Sequence, residues 1–340
     1  MIHSYITTLN FSDGHIGVSN LNYYAAFFQI IISKVFANIS VPFFFVISGF
    51  LFFRNFELKH SIMKNKLHSR ARTLLIPYII WNISALVFFL IVQSFAGFSQ
   101  YFSGQNKFVS DYELYDYLDS IIGISRYPVA GQFWFIRDLM IMIFFAPIFW
   151  LIAKYIPRTG ILLFFSLWLI DSNMKFVNFL FYYYTVLFFY LGVLAAIKDF
   201  KIDWVDLHGR KILLTYLMLA VIESLLQIES FSLANQINRI LIFPGILSAW
   251  YLVGKASKNK KVNNLLVKLS GFSFFVFAAF EPFLSGLKKV MYRILSPSSS
   301  LEVVAVYLST PAVTIFFTLW LAEILRKNFP RIYNLLTGQR

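Results

Sequence analysis

An all-α, polytopic bundle of about nine to ten transmembrane helices is the fold class that this sequence predicts, on three observations. Hydrophobic residues make up 59% of the 340 and aromatic residues 20%, while only 14% are charged. Ordinary globular domains are about 45–50% apolar and about 25% charged. The mean hydropathy is +0.68, and the run from Val41 to Phe53 is apolar on every side, where a soluble helix would keep one face for water. The 30 Lys and Arg give a net charge of +14. They gather at 54–72, 154–158, 198–211, 255–268 and 326–340, and alternate with loops poor in both, as in proteins that keep their positive loops inside. Charge placed this way sets orientation and attracts anionic headgroups secondarily; it argues against nucleic acid as a partner.

A hydrocarbon core takes about 20 apolar residues per helix. Reading outward from the basic clusters, the spans fall near 33–53, 73–95, 133–153, 160–171, 179–197, 212–226, 238–254, 265–286 and 303–325. The fourth is short for a crossing. The longest outer loop, 97–132, sets Asp111, Glu113, Asp116 and Asp119 against Lys107 and Arg126, and 111–122 alternates acidic and apolar residues at helical spacing, which predicts an amphipathic surface helix. No polar stretch is long enough to form a soluble domain, so 1–340 reads as a single membrane domain. No internal repeat is present.

The chain has no cysteine. That excludes disulfides, a thiolate nucleophile, an acyl-cysteine and a cysteine-held metal. No Gly-x-Ser-x-Gly elbow, Walker loop or histidine pair at metal-ligand spacing occurs, so no metal is expected. An active site must be assembled from different helices. Within the 41–53 run, Ser48 and Gly49 either let a neighbouring helix pack closely or line a narrow path for a ligand. Arg70 and Arg72 either signal topology or hold phosphates, for which guanidinium forks are suited. Arg137 and Asp138, beside Trp134, form an interfacial pair or face a polar cavity; Glu223, Arg239 and Glu281 pose the same question.

Five segments in order carry a resemblance: VPFFFVISGF at 41–50, RARTLLIPYIIWN at 70–82, GQFWFIRDL at 131–139, LSGFSFFVFAAFEPF at 269–283 and LLTGQR at 335–340. Together they resemble the integral-membrane acyltransferase family 3, which includes bacterial polysaccharide O-acetyltransferases and fucose 4-O-acetylase-like proteins. The resemblance implies transfer of an acetyl group from acetyl-CoA, a co-substrate rather than a tightly bound cofactor, to a hydroxyl of a cell-surface or exopolysaccharide sugar. It implies a multi-pass protein of the bacterial inner membrane with a cytoplasmic C-terminus. Its partners would be the bilayer, acyl-CoA and a lipid-linked or exported glycan. His3 matches the family's functional histidine and would be the catalytic base. Arg70, Arg72, Ser48 and Gly49 would serve the acyl donor; Trp134, Arg137, Asp138 and Glu281 would form the acceptor pocket.

Two departures from the family accompany the match. Ile2-His3-Ser4-Tyr5 reads as the end of a first transmembrane helix whose earlier part, with its Arg, is not in this sequence; ten spans are then expected of the complete protein and weak activity of this form. Phe280 stands where family members often carry His. His15 is a weaker candidate in an outer loop, while His60, His68 and His208 read as solvated. The rival reading is a transporter that exports an acyl anion or a lipid-linked glycan, with the intramembrane charges as counter-ions.

Overall fold

The computed structural model describes residues 6–54, 60–101, 107–169 and 183–339 and is helical almost throughout. The exception comes first: β1 (Thr8–Phe11) pairs antiparallel with β2 (Gly14–Gly17). Ser12 and Asp13 make the turn between them, and Gly14 and Gly17 take φ of 135° and 128°, values that favour glycine. Asn10 lies in β1 opposite His15. His3 is outside the described residues.

Helix α1 (Tyr23–Ile30) continues through a π turn at Ile31–Phe36 and a 3-10 turn at Ala37–Ile39 into α2 (Ser40–Phe53). In the same way α3 (His60–Arg70) passes through a π turn at Ala71–Leu75 into α4 (Ile76–Ser94). Then come α5 (Leu114–Ile122), α6 (Trp134–Phe144), α7 (Ala146–Tyr155), α8 (Pro157–Leu169) and α9 (Tyr183–Ile197). The chain closes with α10 (Asp203–Ile228), α11 (Ala234–Ser257), α12 (Lys260–Ser270), α13 (Ser273–Leu295), α14 (Ser300–Asn328) and α15 (Pro330–Thr337).

Among the described residues, five helices are long and apolar enough to cross a bilayer: Tyr23–Phe53, Met63–Ser94, α10, α11 and α14. The number rises to seven if α6 with α7, bent by 60°, and α12 with α13, bent by 57°, each count as one broken span. That is fewer than the nine to ten expected. The difference lies partly in α8 and α9, which are described over 13 and 15 residues, while the residues between them, 170–182, lie outside the described ones. The expected span 133–153 breaks at Phe145, because Pro147 supplies no N–H to the first turn of α7 and disfavours helical backbone just before it.

Two kinds of contact hold the bundle. Helices α2 and α9 cross at glycines: a Cβ on Gly49 would strike the Phe189 carbonyl oxygen, and one on Gly192 the Val46 carbonyl oxygen. Buried Phe45, Phe188, Phe189 and Tyr190 pack in the same core. At the basic end, α15 docks on the start of α4, where Trp81 Nε1 donates to the Leu336 carbonyl at 3.0 Å and Gly338 lies against the Thr73 carbonyl. The LLTGQR motif thus braces the turn between Arg70 and Ile76.

The segment from Val109 to Phe133 departs most from expectation. Near the far end of α4, Gln93 Oε1 accepts from Val109 N at 2.8 Å; near its basic end, Tyr78 Oη donates to the Ile122 carbonyl at 2.7 Å. Fifteen residues of α4 separate these bonds, about 22 Å at 1.5 Å per residue, within a hydrocarbon core about 30 Å thick. Helix α5 therefore descends along α4 as a re-entrant element and does not lie on the surface. Its amphipathicity is inverted: Asp119 and Ser120 are buried, while Leu114, Leu118 and Ile122 face outward. With lipid outside, the polar face belongs inside.

Candidate functional site

Irregular backbone at membrane depth requires partners from the protein, because lipid offers none. After α5 the chain turns at Gly123, left-handed with φ of 75°. Asp119 Oδ1 accepts from Ile124 N and Ser125 N at 2.8 Å each, and its Oδ2 from Ser125 Oγ at 2.5 Å. Arg137 Nη1 donates to the Gly123 carbonyl at 2.6 Å, while its Nε and Nη2 reach Asp138 Oδ1 at 3.1 and 2.9 Å. The returning strand is fixed by Asn82, wholly buried, whose Oδ1 accepts from Ala130 N at 3.1 Å and whose Nδ2 donates to the Tyr78 carbonyl at 2.9 Å. Together these bonds place Gln132, Phe133 and Trp134 in mid-bundle.

Two cavities flank this septum. The first, about 750 Å³, lies beside the far half of α4 and is lined by Trp134, Gln132, Glu281, Ser285 and Lys289 opposite Phe88 and Phe89. The second, about 940 Å³ and almost wholly apolar, lies beside the basic end and has Arg70 and Arg137 in its wall. Tyr78, Asn82, Ala130 and Phe133 stand between them, with the Tyr78 and Phe133 rings 5.8 Å apart, edge to face. A smaller polar pocket of about 310 Å³, lined by Tyr112, Arg126 and Tyr127, adjoins the first through Phe89 and Val129.

The first cavity owes its polar wall to a break in α13. Glu281 has non-helical angles (φ −103°, ψ 140°), and Pro282 cannot donate to the Ala278 carbonyl four residues back. Gln132 Nε2 fills that vacancy at 2.9 Å and reaches the Glu281 carbonyl at 3.4 Å. Its other atom, Oε1, is buried, and no group among the described residues donates to it. A buried acceptor left unmet costs free energy. The Glu281 carboxylate accepts from Ser285 N at 3.2 Å beyond the break.

The structure regroups the residues singled out in the sequence. Trp134 and Glu281 line one cavity; Arg137, expected beside them, lines the other with Arg70. Arg72 is exposed and lines neither, as follows from helical residues two apart facing different ways. Gly49 sits in the α2–α9 crossing, and Ser48 lines neither cavity. Asp138, 0% exposed, is tied to Arg137. His15, His68 and His208 are exposed. Glu223 is buried and accepts from Asn238 Nδ2 at 3.0 Å, away from both cavities. Outside the membrane-spanning helices, Arg293 holds the Asp13 carboxyl below its ordinary value through their 2.6 Å ion pair. No group of three or more acidic or histidine side chains among the described residues is placed to hold a metal ion. Sequence reasoning missed Asn82, Asp119, Gln132, Ser285 and Lys289; Asn82 and Gln132 were amides within otherwise apolar motifs, and that was their signal.

A model of the acyltransferase domain matches residues 1–322. The succinoglycan biosynthesis protein ExoH of Rhizobium meliloti (strain 1021) is 25% identical over 309 residues, covering 89% of this chain and 79% of that protein. No solved structure matches.

Proposed function

This chain belongs to the acyltransferase family whose domain model it matches over nearly its whole length, and from that premise we propose that it moves an acetyl group from acetyl-CoA to a hydroxyl of a surface or exopolysaccharide sugar. The similarity to a succinoglycan biosynthesis protein supports a polysaccharide acceptor. In this reading the protein lies in the bacterial plasma membrane with the basic loops and the C-terminus on the cytoplasmic side. Acetyl-CoA arrives at that side, where Arg70 meets its phosphates at the mouth of the basic-end cavity and Arg72 adds surface charge. The glycan, lipid-linked or exported, occupies the Trp134 cavity.

The observation that carries this reading is the unmet Gln132 Oε1 beside Trp134 and Glu281. An aromatic face next to polar groups suits a sugar, and an acceptor hydroxyl that turned the Gln132 amide and donated to Oε1 would be held for attack on the thioester carbonyl. The new C–O bond forms as the C–S bond breaks, the hydroxyl proton passes to a base, and coenzyme A leaves as the thiol. His3 takes the base role on the family resemblance, and Glu281 is the carboxylate nearest at hand in the cavity. Polysaccharide from a deletion strain should lose its O-acetyl signals in proton NMR and regain them with the wild-type gene. Gln132→Leu should restore about a tenth or less of the acetylation, in line with the about 1–3 kcal/mol that leaving a buried partner unmet costs. Unchanged acetylation in the deletion strain would overturn the assignment.

A further inference from the structure

We propose that the polar pocket of Tyr112, Arg126 and Tyr127 is a second sugar subsite. It holds the unit next to the one acetylated, so that the acceptor is recognised as a chain and not as a single sugar. The inference rests on the reading of the Trp134 cavity as the acceptor site. The two spaces share Phe89 and Val129 as wall residues. On α4, Ala85 and Phe89 line the first, while Phe89 and Gln93 line the second. Steps of four residues keep them on one helix face, and each step covers about 6 Å. A glycan leaving the Trp134 cavity past this shared wall would therefore reach the second pocket within the length of one sugar unit. At about 310 Å³ the pocket stands at the lower limit of ordinary ligand sites, about 300 Å³, a size for one ring rather than for a chain.

The walls of the two spaces differ in kind. Beside Trp134 the lining is mainly apolar, with Phe88, Phe89 and Phe98. The smaller pocket takes Ser120 from the inward face of α5, Arg126 from the turn after it and Gln93 from α4. These groups are fixed by the protein itself. The Arg126 guanidinium lies 5.0 Å from the centre of the Tyr112 ring, and its Nη2 donates to Ser120 Oγ at 2.6 Å and to the Asp116 carbonyl at 2.8 Å. Val129 N donates to the Ser120 carbonyl at 2.7 Å, which ties the shared wall to α5. Gln93 Oε1 accepts from Val109 N at 2.8 Å, which orients its amide. The cations are matched by carboxylates, Lys107 by Asp116 at 2.8 Å and Arg126 by Asp119 at 3.4 Å, so the pocket offers hydrogen bonds rather than net charge. Tyrosine rings among such groups suit a neutral pyranose, which turns C–H bonds to an aromatic face and hydroxyls to polar neighbours. Side chains already held in place cost little further ordering when it binds.

The test uses the full chain in nanodiscs with acetyl-CoA as donor. Acceptors are fragments of the deletion strain's own polysaccharide, treated with mild base to remove acetyl groups and sized to one or two sugar units. The two-unit acceptor should show kcat/KM about tenfold above the single unit, the worth of about one further hydrogen-bonded contact. Tyr112→Leu should narrow that ratio to about twofold, because the second unit then adds little binding energy. Tyr112→Phe, which keeps the ring, should preserve the ratio. A ratio does not depend on how much of the protein folds, which separates loss of recognition from loss of fold. Trp134→Leu should lower kcat/KM for both acceptors. Equal kcat/KM for the two acceptors in the wild type would overturn the inference and leave the acceptor cavity standing. A wild-type ratio that Tyr112→Leu left intact would overturn it as well, by placing the second unit elsewhere. Full activity of Trp134→Leu on both acceptors would reject the acceptor cavity and the inference with it.

Discussion

The crossing of α2 and α9 and the re-entrant segment from Val109 to Phe133 belong to one bundle, yet they are held together by opposite means. At the crossing, regular helices satisfy their own backbones, and two glycines let them approach until a single added carbon would collide. In the re-entrant segment the backbone is irregular, and side chains of Asp119, Arg137, Asn82 and Gln93 take up the hydrogen bonds that a helix would have made for itself. Packing at the crossing is non-directional and built from small residues; the turn depends on directed bonds in a low-dielectric setting, where each is stronger and each loss costs more. The binding chemistry gathers at the second kind of region, as is common where irregular backbone lines a cavity.

Substitutions at the two regions should fail differently. Gly49→Val should have the largest effect, because it drives branched carbon into the backbone of α9; little folded protein should be recovered from membranes, as judged by a monodisperse peak in detergent. If Gly49→Val gave normal yields, the crossing would not be the packing contact described. Asp119→Ala should come next and act locally. Most of the protein should stay folded, but with Ile124 N and Ser125 N left unmet at about 1–3 kcal/mol each, acetyl transfer should fall below about a hundredth of wild type. Asp119→Asn keeps an acceptor oxygen and should lie between the two.

Arg137→Gln releases the Gly123 carbonyl and leaves Asp138 buried beside a neutral group, a change of the sort that costs about 3–5 kcal/mol when one partner of a buried pair is removed. If the turn rather than the acceptor depends on Arg137, kcat should fall with KM for the acceptor nearly unchanged. A rise in KM alone would instead put Arg137 in the acceptor pocket, as its place beside Trp134 in the sequence suggests.

The smallest effect should come from Asp13→Asn on the hairpin. Arg293 holds the Asp13 carboxyl below its ordinary value, so the pair supports the folded hairpin fully above about pH 4. That support fades as pH falls through the lowered folded value. Hydrogen exchange of the Thr8–Gly17 amides should show this acid-side loosening in the wild type and not in Asp13→Asn. Because the pair is exposed, salt should blunt the difference.

The regular region was also the legible one. Long apolar runs stopped by cations gave most of the spans, and the Ser48-Gly49 interruption allowed the helix notch as one of two readings, because period and charge are local properties. The re-entrant segment hid itself for a physical reason. Its acidic residues and glycines look like those of any exposed loop, and its depth is set by partners far along the chain: Tyr78, Asn82 and Gln93 on α4. Adjacency misled at α6, where Trp134 and Arg137 are three residues apart but open on different cavities. The grouping of Trp134 with Glu281 came from the matched motifs, and the structure brings those two side chains to one chamber. Neither the bend before Pro147 nor the break at Glu281 is visible in hydropathy, since proline and its neighbours are tolerated inside apolar runs wherever another chain element can satisfy the freed carbonyl.

That freed carbonyl gives Gln132 a mechanical position as well as a chemical one. Its amide nitrogen is tied to Ala278 on one side of the break and to Glu281 at the break itself, while its oxygen is buried with no donor among the described residues. Whatever draws on the oxygen also pulls on the joint of α13. A ligand that drew on the oxygen would therefore couple occupancy of the chamber to the angle between the two halves of that helix, and such a coupling is reciprocal: a ligand that prefers one angle stiffens the joint, and a lipid environment that favours that angle tightens the ligand.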